Sequence, residues 1–187
     1  MINRICKKHT DKRYTQLQSG SNINSEKCYY LFQYTLQAFL LFFPLSPIYL
    51  LFLDPIKASP LFYFGTLISL YGIYGEAKAD FDLEKYKKMK KEGLLKNKSL
   101  CDFGDWKYSR HPNIFFELVT WSGISLMSIH PDRKFYNIIS ILGPVFLFLI
   151  VRFLTLPLTE SCMKKKRPNW DQILKETNLI FPYYVNR

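Results

Sequence analysis

Apolar and polar residues come in blocks along this chain rather than alternating singly. "CYYLFQYTLQAFLLFFPLSPIYLLFL", residues 28–53, is free of charge and exceeds the ~20 residues that carry a helix across a bilayer's hydrocarbon layer. Pro44 and Pro47 predict a kink or break within it, because proline lacks the N–H donor and clashes with the preceding turn. Asp54, Pro55, Lys57 and Pro60 then form a short polar turn. A second apolar block, 61–75, is short for a span unless it begins at Ile56. It runs without a breaker into "EAKADFDLEKYKKMKKEG", where Glu84 and Lys88 take the favourable i,i+4 spacing. One helix is therefore predicted to continue out of the apolar layer and to end at Gly93. Residues 114–129 form a third block, "HPDRK" a tight link, and residues 135–159 a fourth, with Pro144 and a lone Arg152. The tail from Glu160 is basic, with a short helix predicted at "NWDQILKET".

This pattern predicts an all-α integral membrane protein of about four transmembrane helices, near 28–53, 56–76, 114–129 and 135–157. A cytoplasmic helical extension and a C-terminal tail complete it. Residues 1–27 form a basic N-terminal segment without an apolar core, so no signal peptide is expected, and 28–187 form the membrane domain. The competing reading is a soluble helical protein with very apolar core helices.

Charge orients the predicted spans. The net charge is +11, which alone suits nucleic acid or an anionic surface. The distribution decides between them: residues 1–27, 78–111 and 162–187 hold 22 of the 26 Lys and Arg. The two opposite turns hold only Lys57, Arg133 and Lys134. The positive-inside rule then places both termini in the cytoplasm of a multi-pass protein, and cations gathered at span ends exclude a nucleic-acid arm. The mean hydropathy of -0.08 averages over these unlike blocks. Cys6, Cys28, Cys101 and Cys162 form no CxxC pair, so free thiols and no metal are expected.

Three polar clusters converge on the cytoplasmic side of this topology. Glu76 and Asp80, four apart, share a helix face on the helix leaving the second span, which also carries Lys87. Lys107, Tyr108, Ser109, Arg110, His111 and Asn113 enter the third span, with Glu117 one turn inside. The tail "ESCMKKKRPNWDQILKETNLIFP" is the third. Cations at a helix entrance suit phosphates, and Pro112 fits a first helical turn. The plain alternative makes Arg110 and Lys107 headgroup anchors. Glu117 is harder to treat that way, since an ionisable group inside a span is costly and usually faces a partner or a wet cavity. No glycine-rich phosphate loop follows a strand, so a Rossmann site is not expected.

"CDFGDWKYSRHPNIFFE" is similar to the signature "G-x-W-x-Y-S-R-H-P-N-Y-F-G-E" of the DUF1295 membrane proteins, which are related to the C-terminal domain of steroid 5-alpha-reductases. "GEAKADFDLEKYK", the tail, and "DKRYTQLQ" followed by "YLFQYTLQAFLLF" resemble further family segments in the same order. The resemblance implies a membrane-embedded, NADPH-dependent reductase of a carbon–carbon double bond conjugated to a carbonyl, in a steroid-like or other lipid. It implies that Asn113 contacts the nicotinamide carboxamide, that Glu117 orients Asn113, and that Asp80 binds the adenosine portion. Lys87 and Arg110 would neutralise phosphates, with His111 in the same site. The family's substrate-side acid and tyrosine are expected upstream of this chain, so a partner subunit supplying further spans is an alternative. So is a non-enzymatic membrane protein. A shorter "R-H-P-x-Y" element in isoprenylcysteine carboxyl methyltransferases implies S-adenosylmethionine as a rival cofactor; Thr177 and the "EAKAD" helix favour the reductase. Ile114 and Phe116 stand where the signature has tyrosine and glycine, Asp82 replaces a glutamine, and Trp170 and Ile173 replace two tail tyrosines. Phe116 would fill space that a glycine leaves open.

Overall fold

A computed structural model describes residues 26–53, 59–95, 100–165, 167 and 169–183. The described chain is helical, and its one β-type pairing is an isolated parallel bridge between Ser109 and Asn178. In chain order the helices are α1 (Glu26–Phe42), α2 (Ser46–Leu53), α3 (Pro60–Lys91), α4 (Pro112–Met127), α5 (Lys134–Ile150), α6 (Leu156–Lys164) and α7 (Trp170–Glu176). A 3-10 turn at Gly104–Lys107 precedes α4, and a π-turn at Val151–Thr155 joins α5 to α6. The "DKRYTQLQ" segment lies outside the described residues.

The predicted break in the first block is present: α1 and α2 meet at 60°, with Pro44 and Pro47 fully buried in the corner. Gly143 of α5 makes room for it, since a Cβ there would lie 2.8 Å from Pro47 Cδ. The Ser46 hydroxyl donates to Ile139 O at 3.1 Å, and the Phe43 and Phe146 rings pack 5.0 Å apart.

Helix α3 is the frame of the molecule. Ser59 caps it, its hydroxyl accepting from Phe62 N–H at 3.1 Å, and Pro60 takes the first turn, where its missing donor costs nothing. The helix runs 32 residues, about 48 Å at 1.5 Å per residue. Gly93, at φ 79°, follows its end in the left-handed region that glycine enters without strain. The predicted continuation past the apolar block is thus observed.

Along one face of α3, Gly65, Ser69, Gly72, Gly75 and Ala79 are all buried. The spacings of three and four keep them on one stripe, and α4 lies along it. A Cβ on Gly65 would sit 2.6 Å from Gly123 O, and one on Gly72 would sit 2.6 Å from Thr120 N. The Ser69 hydroxyl donates to Thr120 O at 3.0 Å. Small residues here bring two backbones together, a packing mode characteristic of helices in lipid. At the top of the stripe the Phe116 ring lies directly over Gly75. Phe116 is buried, so the bulk that the sequence places beside the site is taken up by the missing side chain on α3.

Helix α4 joins α5 through a serine knot. Ser125 Oγ donates to Ser140 O and Ser140 Oγ to Ser125 O, each at 2.9 Å, and Ser128 Oγ bonds Ser140 Oγ. The "HPDRK" link is closed by Asn137, whose amide donates to His130 O at 2.7 Å while its Oδ1 accepts from His130 N–H.

The interior is divided in two. Leu147, Val151, Leu156 and Ile180 form one cluster, which ties the tail to α5 and α6. Tyr86, Cys101 and Trp106 form the other, flanked by Leu83, Leu95 and Phe103, around the projecting end of α3. Most large apolar side chains elsewhere face outward, among them Phe52 and Phe135 at 86% and 70% exposure.

By length and composition, the continuous helix Lys134–Lys164 is apolar enough to cross a membrane, and the bent pair α1–α2 qualifies if counted as one span. The second and third predicted spans do not meet that measure. Helix α4 has 16 residues, and the apolar part of α3 is diluted by glycine and tyrosine.

Candidate functional site

Pro112 opens α4, and the residues on either side of it go separate ways. Before it, the backbone of 108–110 pairs with the tail: Arg110 N–H donates to Asn178 O and Asn178 N–H to Tyr108 O, both at 2.9 Å. The Ser109 hydroxyl, fully buried, donates to Ile180 O at 2.7 Å and accepts from His111 N–H at 3.1 Å. This fastens residues 177–180 as a strap across the foot of α4.

A charged clamp secures the strap. Arg110 Nε donates to both Glu160 oxygens at 3.1 and 3.2 Å, and Arg110 Nη1 donates to Thr177 O at 2.6 Å. His111 Nε2 bonds Glu160 Oε1 at 2.9 Å. Arg110 and His111 are 8% and 4% exposed, and the guanidinium also lies 5.9 Å from the centre of the Trp170 ring. Glu160 comes from α6. The helix that carries it is 31 residues long, about 46 Å, and Glu160 stands in its last turns, past residue 157 where the fourth predicted span ends. Burial alone would raise the Glu160 carboxyl, but hydrogen bonds from His111 and Arg110, and their charges, outweigh it. Its pKa is therefore held below the ordinary carboxylate value.

After Pro112, the side chains are open. Asn113 and Glu117 are half-buried on α4 and make no side-chain hydrogen bond among the described residues. Glu117 lies within electrostatic reach of Glu76 across the α3–α4 seam, and Glu76 within reach of Asp80. Asp80 is exposed on α3. The four form a polar shelf at the top of the small-residue stripe, just above Phe116 and Gly75. Trp106 braces it from the side, its indole N–H donating to Ala79 O at 2.8 Å. No group of three or more His, Cys, Asp or Glu among the described residues is arranged to hold a metal ion.

The six residues expected at one site thus fall into three places. Asn113, Glu117 and Asp80 belong to the shelf. Arg110 and His111 are spent on the clamp. Lys87 is exposed two turns further out on α3, within electrostatic reach of Cys101. Cys101 is buried, which pushes its thiol up, and neither it nor Cys28 nor Cys162 is in a disulfide among the described residues. Cys6 lies outside the described residues.

Glu160 is the residue of the clamp that sequence reasoning left without a role. Glu160 is the single acid between Asp132 and Asp171, an isolated carboxylate at the end of a long apolar stretch, and that isolation was the available signal. Its partners lie about fifty residues earlier, which spacing cannot reveal.

A family model described as "Protein of unknown function (DUF1295)" matches residues 1–177. The chain belongs to the DUF1295 family. That match spans both halves of the clamp, Arg110 and Glu160, and ends at Thr177, where the strap of this DUF1295 protein begins. No curated protein and no solved structure matches the chain.

Proposed function

We propose that this DUF1295 protein is a multi-pass membrane protein whose polar shelf holds a dinucleotide cofactor, NADPH, for reduction of a conjugated double bond in a lipid-like substrate. The observation that carries the reading is the contrast at Pro112. Asn113 and Glu117 keep unbonded polar groups on a rigid seam, while their neighbours Arg110 and His111 hold the strap beside them. A half-buried polar side chain with no internal partner is what a ligand-contacting residue offers before its ligand binds.

The residues fit such a group. An asparagine amide presents a donor and an acceptor together, which matches a carboxamide. Glu117, one turn on along the same helix face, is the acceptor that would orient the Asn113 amide once the ligand is bound. The exposed Asp80 carboxylate suits ribose hydroxyls, as an acid does in other dinucleotide sites. Bound NADPH would supply the reducing equivalent; the chain's own part is to orient it and to keep water off the apolar side.

The outward-facing apolar side chains of α1, α3 and α5 support the membrane placement, because patches of this extent in a water-soluble protein would drive association. The close small-residue seam and the one-sided distribution of cations fit four spans with both termini in the cytoplasm.

The test is binding of NADPH and, separately, of S-adenosylmethionine to full-length protein in non-ionic detergent, with Asn113→Ala as control. Saturable NADPH binding that Asn113→Ala weakens supports the reading. Binding of S-adenosylmethionine alone replaces it with methyl transfer, and binding of neither removes both.

A further inference from the structure

The strap turns toward the apolar layer after it leaves the clamp. Its bridge to Ser109 is parallel, so the chain after Asn178 sets off in the same direction as the chain entering α4. Ile180, 3% exposed, then packs with Leu147, Val151 and Leu156, all inside the fourth predicted span of 135–157. The Phe181 ring lies 5.8 Å from that of Phe115, in the first turn of α4. There the chain folds back on itself. Tyr183 N–H donates to Phe181 O at 3.0 Å, and the Asn178 side-chain amide donates to Tyr183 O at 2.9 Å.

Two features distinguish this tip from an ordinary surface loop. The carbonyls of Ile180, Phe181 and Tyr183 all accept hydrogen bonds from within the protein, and Pro182 has no N–H to satisfy. Backbone at the edge of a hydrocarbon layer has to be satisfied in this way, because lipid offers it no partner. The side chains, by contrast, face outward. Phe181 and Tyr183 are 49% and 61% exposed, with their rings 6.3 Å apart.

From this we infer that the tip of the strap, Phe181 to Tyr183, is seated in the lipid interface of the cytoplasmic leaflet, with the Phe181 ring among the upper acyl chains and the Tyr183 phenol at the headgroups. Aromatic side chains concentrate at that boundary, and a phenol presents an apolar ring together with a polar hydroxyl. The exposed Lys164 and Lys165 at the end of α6 suit the anionic headgroups of the same leaflet. Lipid thus holds the far end of the strap, as Glu160 holds the near end through Arg110. This seat rests on the membrane placement proposed above and adds to it a tail segment that lies outside the four predicted spans.

The test uses full-length protein in bilayers of mixed zwitterionic and anionic phospholipid, with tryptophan fluorescence quenched by lipids brominated at either end of the acyl chain. Phe181→Trp is compared with Leu142→Trp, on the exposed face of α5, and with Lys88→Trp, exposed on the projecting end of α3. The signal of the unsubstituted protein, from its three native tryptophans, is subtracted from each. Lys88 lies about 18 Å beyond Glu76 along the helix, so Lys88→Trp reports the water phase and should keep its fluorescence. Phe181→Trp should lose most to bromine near the carbonyl end of the chains, and Leu142→Trp most to bromine near the methyl end. Tyr183→Trp provides a second reading of the tip, from the same shallow depth, that leaves the Phe181–Phe115 contact untouched. Quenching of Leu142→Trp, with both tip variants no more quenched than Lys88→Trp, overturns the lipid seat and leaves the membrane placement standing. Absence of quenching in Leu142→Trp and the tip variants alike removes the placement and the seat together. Tip variants quenched chiefly by bromine near the methyl end also overturn the seat, by putting the strap in the hydrocarbon interior.

Discussion

Arg110 and Asn113 are three positions apart, on either side of Pro112, and look equally functional as letters in one motif. In the fold they do opposite work. The Arg110 guanidinium is buried, bonded to Glu160 and Thr177, and faces the tail. The Asn113 amide is half-buried and unbonded, and sits where α3 and α4 converge. One helix start separates them, because Pro112 fixes the turn at which extended backbone becomes helix. Residues before it pair with the tail as backbone strands do; residues after it point along α4. Proximity in sequence is therefore a poor guide to shared chemistry here, and a substitution on each side should fail in a different way.

The largest effect should come from the clamp. Removing one member of a buried charged pair costs about 3–5 kcal/mol, and the partial exposure of Glu160 reduces the expectation for Glu160→Ala to about 2–3 kcal/mol. Denaturation of the purified protein should show that loss, with the segment after Thr177 becoming protease-sensitive. Wild-type stability and an uncut tail would show that the clamp holds nothing.

The seam comes next. A methyl group at Gly72 meets the backbone of Thr120 and Phe116, which cannot rotate away, so Gly72→Ala should cost about 1–3 kcal/mol by overpacking. It should also weaken cofactor binding by moving Asn113 away from Asp80. A neutral melting shift would mean that the helices separate more easily than the contacts indicate.

Asn113→Ala sharpens the comparison from the other side. With no internal hydrogen bond to lose, stability should stay within about 0.5 kcal/mol, while NADPH binding falls about tenfold or more. Thermal unfolding and titration on the same preparation would test this. A variant that unfolds early would make Asn113 structural and erase the distinction from Arg110.

Acid gives the mildest perturbation. The folded-state pKa of Glu160 is depressed, so its contribution is full above the unfolded carboxylate value of about 4.3 and is lost as pH falls through the lower folded value. Release of the strap, followed by brief proteolysis at stepped pH, should therefore begin only below about pH 4.3 in the wild type and be present at neutral pH in Glu160→Gln. Release of the wild-type strap already near neutrality would show that some group other than Glu160 governs it.

Much of this was legible in the chain. The break at Pro44, the continuation of α3 to Gly93, the start of α4 at Pro112 and the tail helix are local events, set by residues lacking a donor, residues tolerating positive φ, and runs of helix formers. The Phe116 position was legible only in part. The sequence shows a bulky ring where the resembling signature has glycine, but only the packing shows that Gly75 accommodates it. The expected group of six site residues was divided for the same reason, since spacing orders residues along a helix face and does not tell which face meets the tail.

By itself, the sequence determined the helical class, the element boundaries, the apolar blocks and the family. Those depend on composition and on interactions within a few residues. The tertiary structure decided the partners: Glu160 with Arg110 and His111, Phe116 with Gly75, and Trp106 with the carbonyl of Ala79. Each of these joins residues far apart in the chain, and such contacts exist only once close helix packing has fixed the separation and rotation of the elements that carry them.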